Sequence, residues 1–176
     1  YRCQNFSETI KKLTMKNLIL IFFSFIIISC NDDDVEPVVT PPFVPVVIEP
    51  ILISKRSINS TLDIVQQNTV FNSEINWNLL LNQFDAPFIS IGLGNYFTES
   101  YFEETVIDFT NYTVIVVIDR IYGNGGHTID ITNITEFETT IVVTVENLQT
   151  GNTSSVVTQP YHIVKIPKAT KSIVFE

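Results

Sequence analysis

Residues 112–119 read YTVIVVID, a stretch in which Val114, Ile115, Val116, Val117 and Ile118 follow one another with no polar break. Successive side chains of a strand point to opposite faces, so such a run offers no polar face to water and must be covered on both sides. It is also too short for a buried helix, and its residues are β-branched, which favours the strand. This one segment therefore asks for a central strand. The segments after it supply neighbours. HTIDITNI at 127–134 alternates, which places Ile129, Ile131 and Asn133 on one side, and TIVVTVEN at 140–147 puts Ile141, Val143 and Val145 on one face. SVVTQPYHIVKIPK and SIVF complete the set, and GNGG, EFET and LQTGNTS are turn-like joints between them.

One helix is predicted near residues 73–84. Asn72 and Ser73 are good N-cap residues, Ile75, Leu79, Leu80 and Phe84 recur at helical spacing with Trp77 alongside, and Ala86-Pro87 should end it. The following PFISIGLGNYFTESYFEE reads as an irregular connection, and ILISKRSINSTL at 51–62 is ambiguous, with enough apolar residues for a short strand. Alanine is nearly absent and Phe, Ile, Val, Thr and Asn are prominent, so a helical bundle is disfavoured. The expected class is α+β, a mostly antiparallel β-sheet with one covering helix, preceded by a signal peptide and a Pro-rich tether.

The signal peptide is read from MKNLILIFFSFIIISC at 15–30, where Met15 and Lys16 form a short basic start and Leu18–Ile28 is apolar apart from Ser24. Eleven helical residues rise ~16 Å, about half of the ~30 Å hydrocarbon core, which describes a secretory signal rather than a membrane span. Ile27-Ile28-Ser29-Cys30 resembles a bacterial lipobox, in which the cysteine is acylated and becomes the first mature residue. Cys30 is then the lipid attachment point, and several acyl chains anchor stably where one binds only marginally. NDDD directly after it looks like the export signal that Bacteroidota-type bacteria place behind the lipidated cysteine, which implies the outer membrane or cell surface. The alternative is the plain start of a solvated linker.

Residues 1–29 are thus read as an upstream extension and a lipoprotein signal peptide, 30–50 as the lipidated cysteine and tether, and 51–176 as the globular domain. In the tether Pro37, Pro41, Pro42, Pro45 and Pro50 oppose helix and central strand. An extended chain of that length reaches roughly 60 Å at ~3.1 Å per residue. The competing possibility is that VPVVI adds an edge strand to the domain. Loss of residues 1–29 removes four basic residues and one acidic one, leaving 6 Lys and Arg against 18 Asp and Glu, a net charge of -12. That charge opposes nucleic-acid binding. With Cys3 lost and Cys30 acylated, no thiol is left for a disulfide, a metal or nucleophilic catalysis.

The second half of the chain resembles the C-terminal domain of the protease complex subunit PrcB family. The strand YTVIVVID, the loop and strand GNGGHTIDITNI, the strand TIVVTVEN and the closing TQPYHIVKIPK carry the likeness, which spans residues 110–168, roughly a third of the chain. Members are bacterial lipoproteins or secreted proteins, and the named one is associated with a surface protease complex without being its peptidase. The resemblance implies a non-catalytic accessory subunit. It carries no catalytic residues over, and where members typically have an aromatic residue after the glycine pair, this chain has His127.

Candidate sites are few. GNGGH resembles a phosphate-cradling loop only superficially, since no Lys-Ser/Thr pair follows and the loop leads into a strand rather than a helix. Gly123, Gly125 and Gly126 instead suggest a tight turn with positive φ. His127 and His162 would need a third ligand or a nucleophile, and the spacing of Asp119, Asp130 and Glu146 selects none. Alternation in PYHIVKI sets His162, Val164 and Ile166 on one face, so His162 is expected to be a packed sheet residue. No cofactor, metal or catalytic site is expected. The candidate binding residues are the loop Gly123, Asn124, Gly125, Gly126 and His127, and the aromatic group Tyr96, Phe97, Tyr101 and Phe102. Two functions lead, a protein-binding accessory subunit, with a protease or other surface protein as partner, and a carbohydrate- or peptide-binding surface module; a cryptic hydrolase, which would need a cleft of convergent polar groups around His127 or His162, ranks behind both. The first asks for an apolar patch or an open sheet edge, the second for two or three exposed aromatic rings in one plane.

Overall fold

Strand formation begins where the proline-rich stretch ends. The computed structural model describes residues 41–59, 62 and 64–176; Cys30, the signal peptide and most of the tether lie outside the described residues. In chain order the elements are β1 Val46–Val47, β2 Ile51–Asn59, β3 Gln67–Phe71, α1 Glu74–Ser90, α2 Tyr96–Tyr101, β4 Tyr112–Ile118, β5 Asp130–Glu136, β6 Thr140–Glu146, β7 Thr158–Pro167 and β8 Ser172–Phe175. The class is α+β and mostly antiparallel, as expected, but the strands form two sheets rather than one. β2-β7-β4-β3 is fully antiparallel, while β1-β5-β6-β8 ends in a parallel β6–β8 pair.

β4 explains the layering. Val114, Val116 and Ile118 face a core built with Trp77, Leu80, Phe84, Phe97, Phe102, Tyr161 and Ile163. Ile115 and Val117, on the other face, meet Ile131, Ile134, Ile141, Val143, Val164 and Ile166. The β2-β7-β4-β3 sheet is therefore a middle layer between helices and a second sheet, and the apolar run is buried on both faces as its sequence demands. His162 points to the second sheet with Val164 and Ile166, as the alternation of β7 requires.

Four local expectations are corrected. α1 runs to Ser90 with Pro87 inside its last turn, where the missing N–H costs one hydrogen bond while Phe88 gains packing on Tyr96 and Phe97, with centroids 5.4 and 5.9 Å away. Its buried stripe is Trp77, Leu80 and Phe84, whereas Ile75 and Leu79 are exposed, because the largest rings fill the space over the sheet. Ser73 occupies the N-cap without a side-chain cap bond; Asn72 instead accepts from Thr113 Oγ1 at 2.7 Å and Lys168 Nζ at 3.2 Å. In β5 a register shift between Ile131 and Asn133 turns Asn133 outward and Ile134 inward.

The connection after α1 is also less irregular than expected, since it contains α2. At the other end of the domain, Val46 and Val47 pair with Glu136 and Thr135, and Ile48 N donates to Ile134 O at 2.8 Å. VPVVI is thus an edge strand, and the folded unit reaches back to Pro42, into the segment read as tether. No helix among the described residues is long and apolar enough to cross a membrane.

Candidate functional site

The two candidate loops lie far apart in sequence, yet they flank one strand. That strand is β2, whose only ladder partner among the described residues is β7.

On the helix side, α1 and α2 position the aromatic group. Asp85, buried in α1, accepts from the N–H groups of Phe97 and Thr98 at 3.0 Å each and from Thr98 Oγ1 at 2.6 Å, satisfying the orphan donors at the start of α2. That bond set fixes the rotation of α2. Phe97 then stacks on Phe84 at 5.5 Å and Phe102 meets Phe84 edge-on at 5.2 Å, so both are buried core residues. Tyr96 and Tyr101 are left at the surface, Tyr96 46% exposed and Tyr101 partly so. They line a cleft of ≈ 290 Å³ with Arg56, Ser57, Ile58, Phe88 and Phe97. The Arg56 guanidinium lies over the Tyr101 ring, 4.5 Å from its centroid. Beneath, Ser54 Oγ donates to Tyr101 O at 2.8 Å and lies 2.9 Å from Tyr161 Oη. Burial pushes the Tyr161 phenol up to about 12, against a smaller opposing effect of the Ser54 hydrogen bond, so it stays protonated.

On the other side, the glycine loop is closed on itself and on residues 149–154. His127 stacks on Tyr122 with centroids 3.6 Å apart, and its Nε2 lies 2.9 Å from Asn124 Oδ1. Asn124 Nδ2 donates to Asn152 O, Asn152 N to Gly125 O and Gly125 N to Ser154 O, all within 3.0 Å. Only Gly126 of the three loop glycines has positive φ (79°), and a Cβ there would run into the Asn152 side chain. Gly151, which the sequence reading did not single out, has φ 103°, and a Cβ there would overlap the His127 ring. His127, Thr128 and Ile129 then face Lys55, Arg56 and Ser57 across a second cleft of ≈ 220 Å³.

Apart from Arg56, the titratable groups between these loops are committed to structure. Asp130 is paired with Lys55 and accepts from Thr128 Oγ1 at 2.6 Å and Leu148 N at 3.3 Å. Burial alone would raise its carboxyl, but the hydrogen bonds from Lys55, Thr128 and Leu148 prevail and hold it below the ordinary value. His162 Nδ1 accepts from Ile131 N–H at 2.9 Å, which ties the two sheets together and leaves the proton on Nε2. Burial, helped by the nearby Lys55 charge, lowers His162 to about 4 despite Asp130, so the ring is neutral near pH 7. Asp119 accepts from Tyr122 Oη at 2.7 Å and Asn147 Nδ2 at 2.8 Å, and burial followed by that Asp119 bond raises the Tyr122 phenol. Among the described residues no group of three or more His, Cys, Asp or Glu is placed to hold a metal ion.

Comparison of the chain with protein-family models, curated proteins and solved structures finds no match.

Proposed function

We propose that this chain is a lipid-anchored protein of the bacterial outer membrane or cell surface that serves as a non-catalytic binding or accessory subunit, with Cys30 as the anchor. The observation that carries the binding role is the meeting of two clefts at the exposed Lys55–Ser57 stretch of β2. The resemblance of residues 110–168 to the PrcB family supports an accessory role in a protease complex. The histidines support it too, because both rings are occupied by stacking or backbone hydrogen bonds rather than poised for proton transfer. A carbohydrate-binding module draws less support, since Phe97 and Phe102 are buried and only Tyr96 and Tyr101 remain for a sugar.

A photo-cross-linking residue at Tyr96, used on intact cells, is expected to capture a surface protein, whereas the same group at Val142, on the far sheet, captures none. Equal yields from both positions, or none from either, would refute the reading. Cys30→Ala is expected to move the protein out of the membrane fraction, and retention there would refute the anchor.

A further inference from the structure

We propose that β2 accepts an added strand: an extended segment of a partner polypeptide pairs with the Lys55–Ser57 edge, drops alternate side chains into the two clefts, and sets a carboxylate against Arg56. This rests on the reading of the domain as a binding subunit and specifies the chemistry of what it binds.

The ladder shows which backbone groups are on offer. Asp119 N donates to Pro160 O at 3.0 Å, so the backbone of Pro160 is turned toward β4. Ser57 is the β2 partner of Pro160. In an antiparallel pair, when one member turns its polar groups away, the other does too, so the Ser57 N–H and C=O point out from the sheet edge. Alternation gives Lys55 the same direction. Ile53 is the extra residue of a register shift between Leu52 and Ser54, and its C=O is taken on that edge by Glu103 N at 2.8 Å. The edge is thus closed at Ile53 by the end of the aromatic segment and open beyond it. Among the described residues no hydrogen bond reaches the backbone of Lys55 or Ser57 from that side, and Lys55, Arg56 and Ser57 are all exposed.

Charged side chains commonly guard such edges. Here both cations are drawn aside: Lys55 reaches across to Asp130, and the Arg56 guanidinium lies over the Tyr101 ring. A second copy of this chain is a poor occupant, because pairing two β2 edges brings Lys55 and Arg56 against Lys55 and Arg56. Arg56 has no carboxylate within ion-pair distance among the described residues, so its N–H donors can meet one from a ligand. Ile58, Phe88 and Phe97 supply an apolar floor beside it. The other cleft is lined by Lys55, His127, Thr128, Ile129 and Tyr161, a largely apolar surface with polar groups at its rim, which suits small side chains such as threonine that carry both a methyl and a hydroxyl group. A strand with a carboxylate and apolar residues on one face and small polar residues on the other meets both clefts, its main chain supplying affinity and its side chains specificity.

The probe is a blocked heptapeptide in which a central glutamate and two flanking valines share one face and threonines share the other. Added to the full chain, it is expected to slow amide exchange at Lys55 and Ser57 about tenfold or more and to leave the β3 edge unchanged. Ser57→Pro removes the outward donor without touching the β2–β7 ladder. It should keep the urea midpoint and abolish this protection. Arg56→Gln should weaken binding about fivefold and erase the preference for glutamate over glutamine at the central position. Unchanged exchange at Lys55 and Ser57, full binding by Ser57→Pro, or equal protection of β3 would overturn the proposal. So would a soluble uronic-acid oligosaccharide that shifts Tyr96 and Tyr101 but not the edge amides. Should the peptide fail while a Tyr96 cross-linker still captures a protein on cells, strand addition falls and the accessory-subunit reading stands. The reverse pattern leaves strand addition standing and removes that reading.

Discussion

The glycine loop and the aromatic segment both stand out in the sequence, and they put their side chains to opposite uses. In the loop, His127, Asn124 and Asn152 satisfy one another, and Gly126 and Gly151 are small because neighbouring side chains occupy the space a Cβ would need. The aromatic segment is divided. Phe97 and Phe102 are core, while Tyr96 and Tyr101 face solvent beside Arg56. A polar or aromatic cluster is therefore available for binding only to the extent that its own fold leaves it unsatisfied.

The largest test of that division is Phe97→Ala, which empties a site between Phe84, Phe88 and Tyr101. Urea denaturation should show a loss of about 3 kcal/mol, and a loss under about 1 kcal/mol would mean that Phe97 is not core. Gly151→Ala combines a left-handed backbone with overlap on His127 and should cost about 2 kcal/mol by the same method. A neutral result would show that the two loops do not interlock.

His162, which lies between the two sheets, makes the fold acid-sensitive. Its folded value, about 4, lies below the ordinary 6.5, so the unfolded chain binds a proton that the folded one refuses. The contribution is complete above pH 6.5 and is lost as pH falls toward 4, by about 2 kcal/mol after allowance for the ring's partial contact with solvent. His162→Asn keeps an acceptor for Ile131 N–H and should flatten stability between pH 6.5 and 5. An unchanged slope in that variant would assign the acid sensitivity to other groups. The smallest expected effect is Tyr96→Ala, within about 0.5 kcal/mol in urea. A large destabilisation there would move Tyr96 from the surface to the core.

Legibility followed the reach of each interaction. β4 was evident because five β-branched residues in a row leave no alternative to burial on both faces. β6 and β7 followed from alternation, and His162 fell on the face that alternation assigns it. β3 is not marked in the sequence, because QNTVF carries little pattern and is held by register with β4 and by Phe71 packing on Trp77. The buried face of α1 is legible in part: Leu80 and Phe84, with Trp77 alongside, are buried as the helical spacing requires, but Ile75 and Leu79 are equally apolar and only the sheet beneath turns them outward. The candidate loops stand out in the sequence, but the segment that forms β2 beside them is ambiguous in it. Nothing local marks Lys55 and Arg56 as an edge.

What the chain determines by itself is its periodicity: which runs must be strands, that one of them is central, and that a basic start, an apolar run and a cysteine precede a proline-rich stretch. Those properties depend on residues within a few positions of one another. Tertiary structure alone decides that the strands part into two sheets, that Asp85 orients α2, that Gly151 makes room for His127, and that β2 keeps an open edge between two clefts. Each of these depends on groups brought together across long separations, whose distances are set only once the layers close and water is excluded from between them.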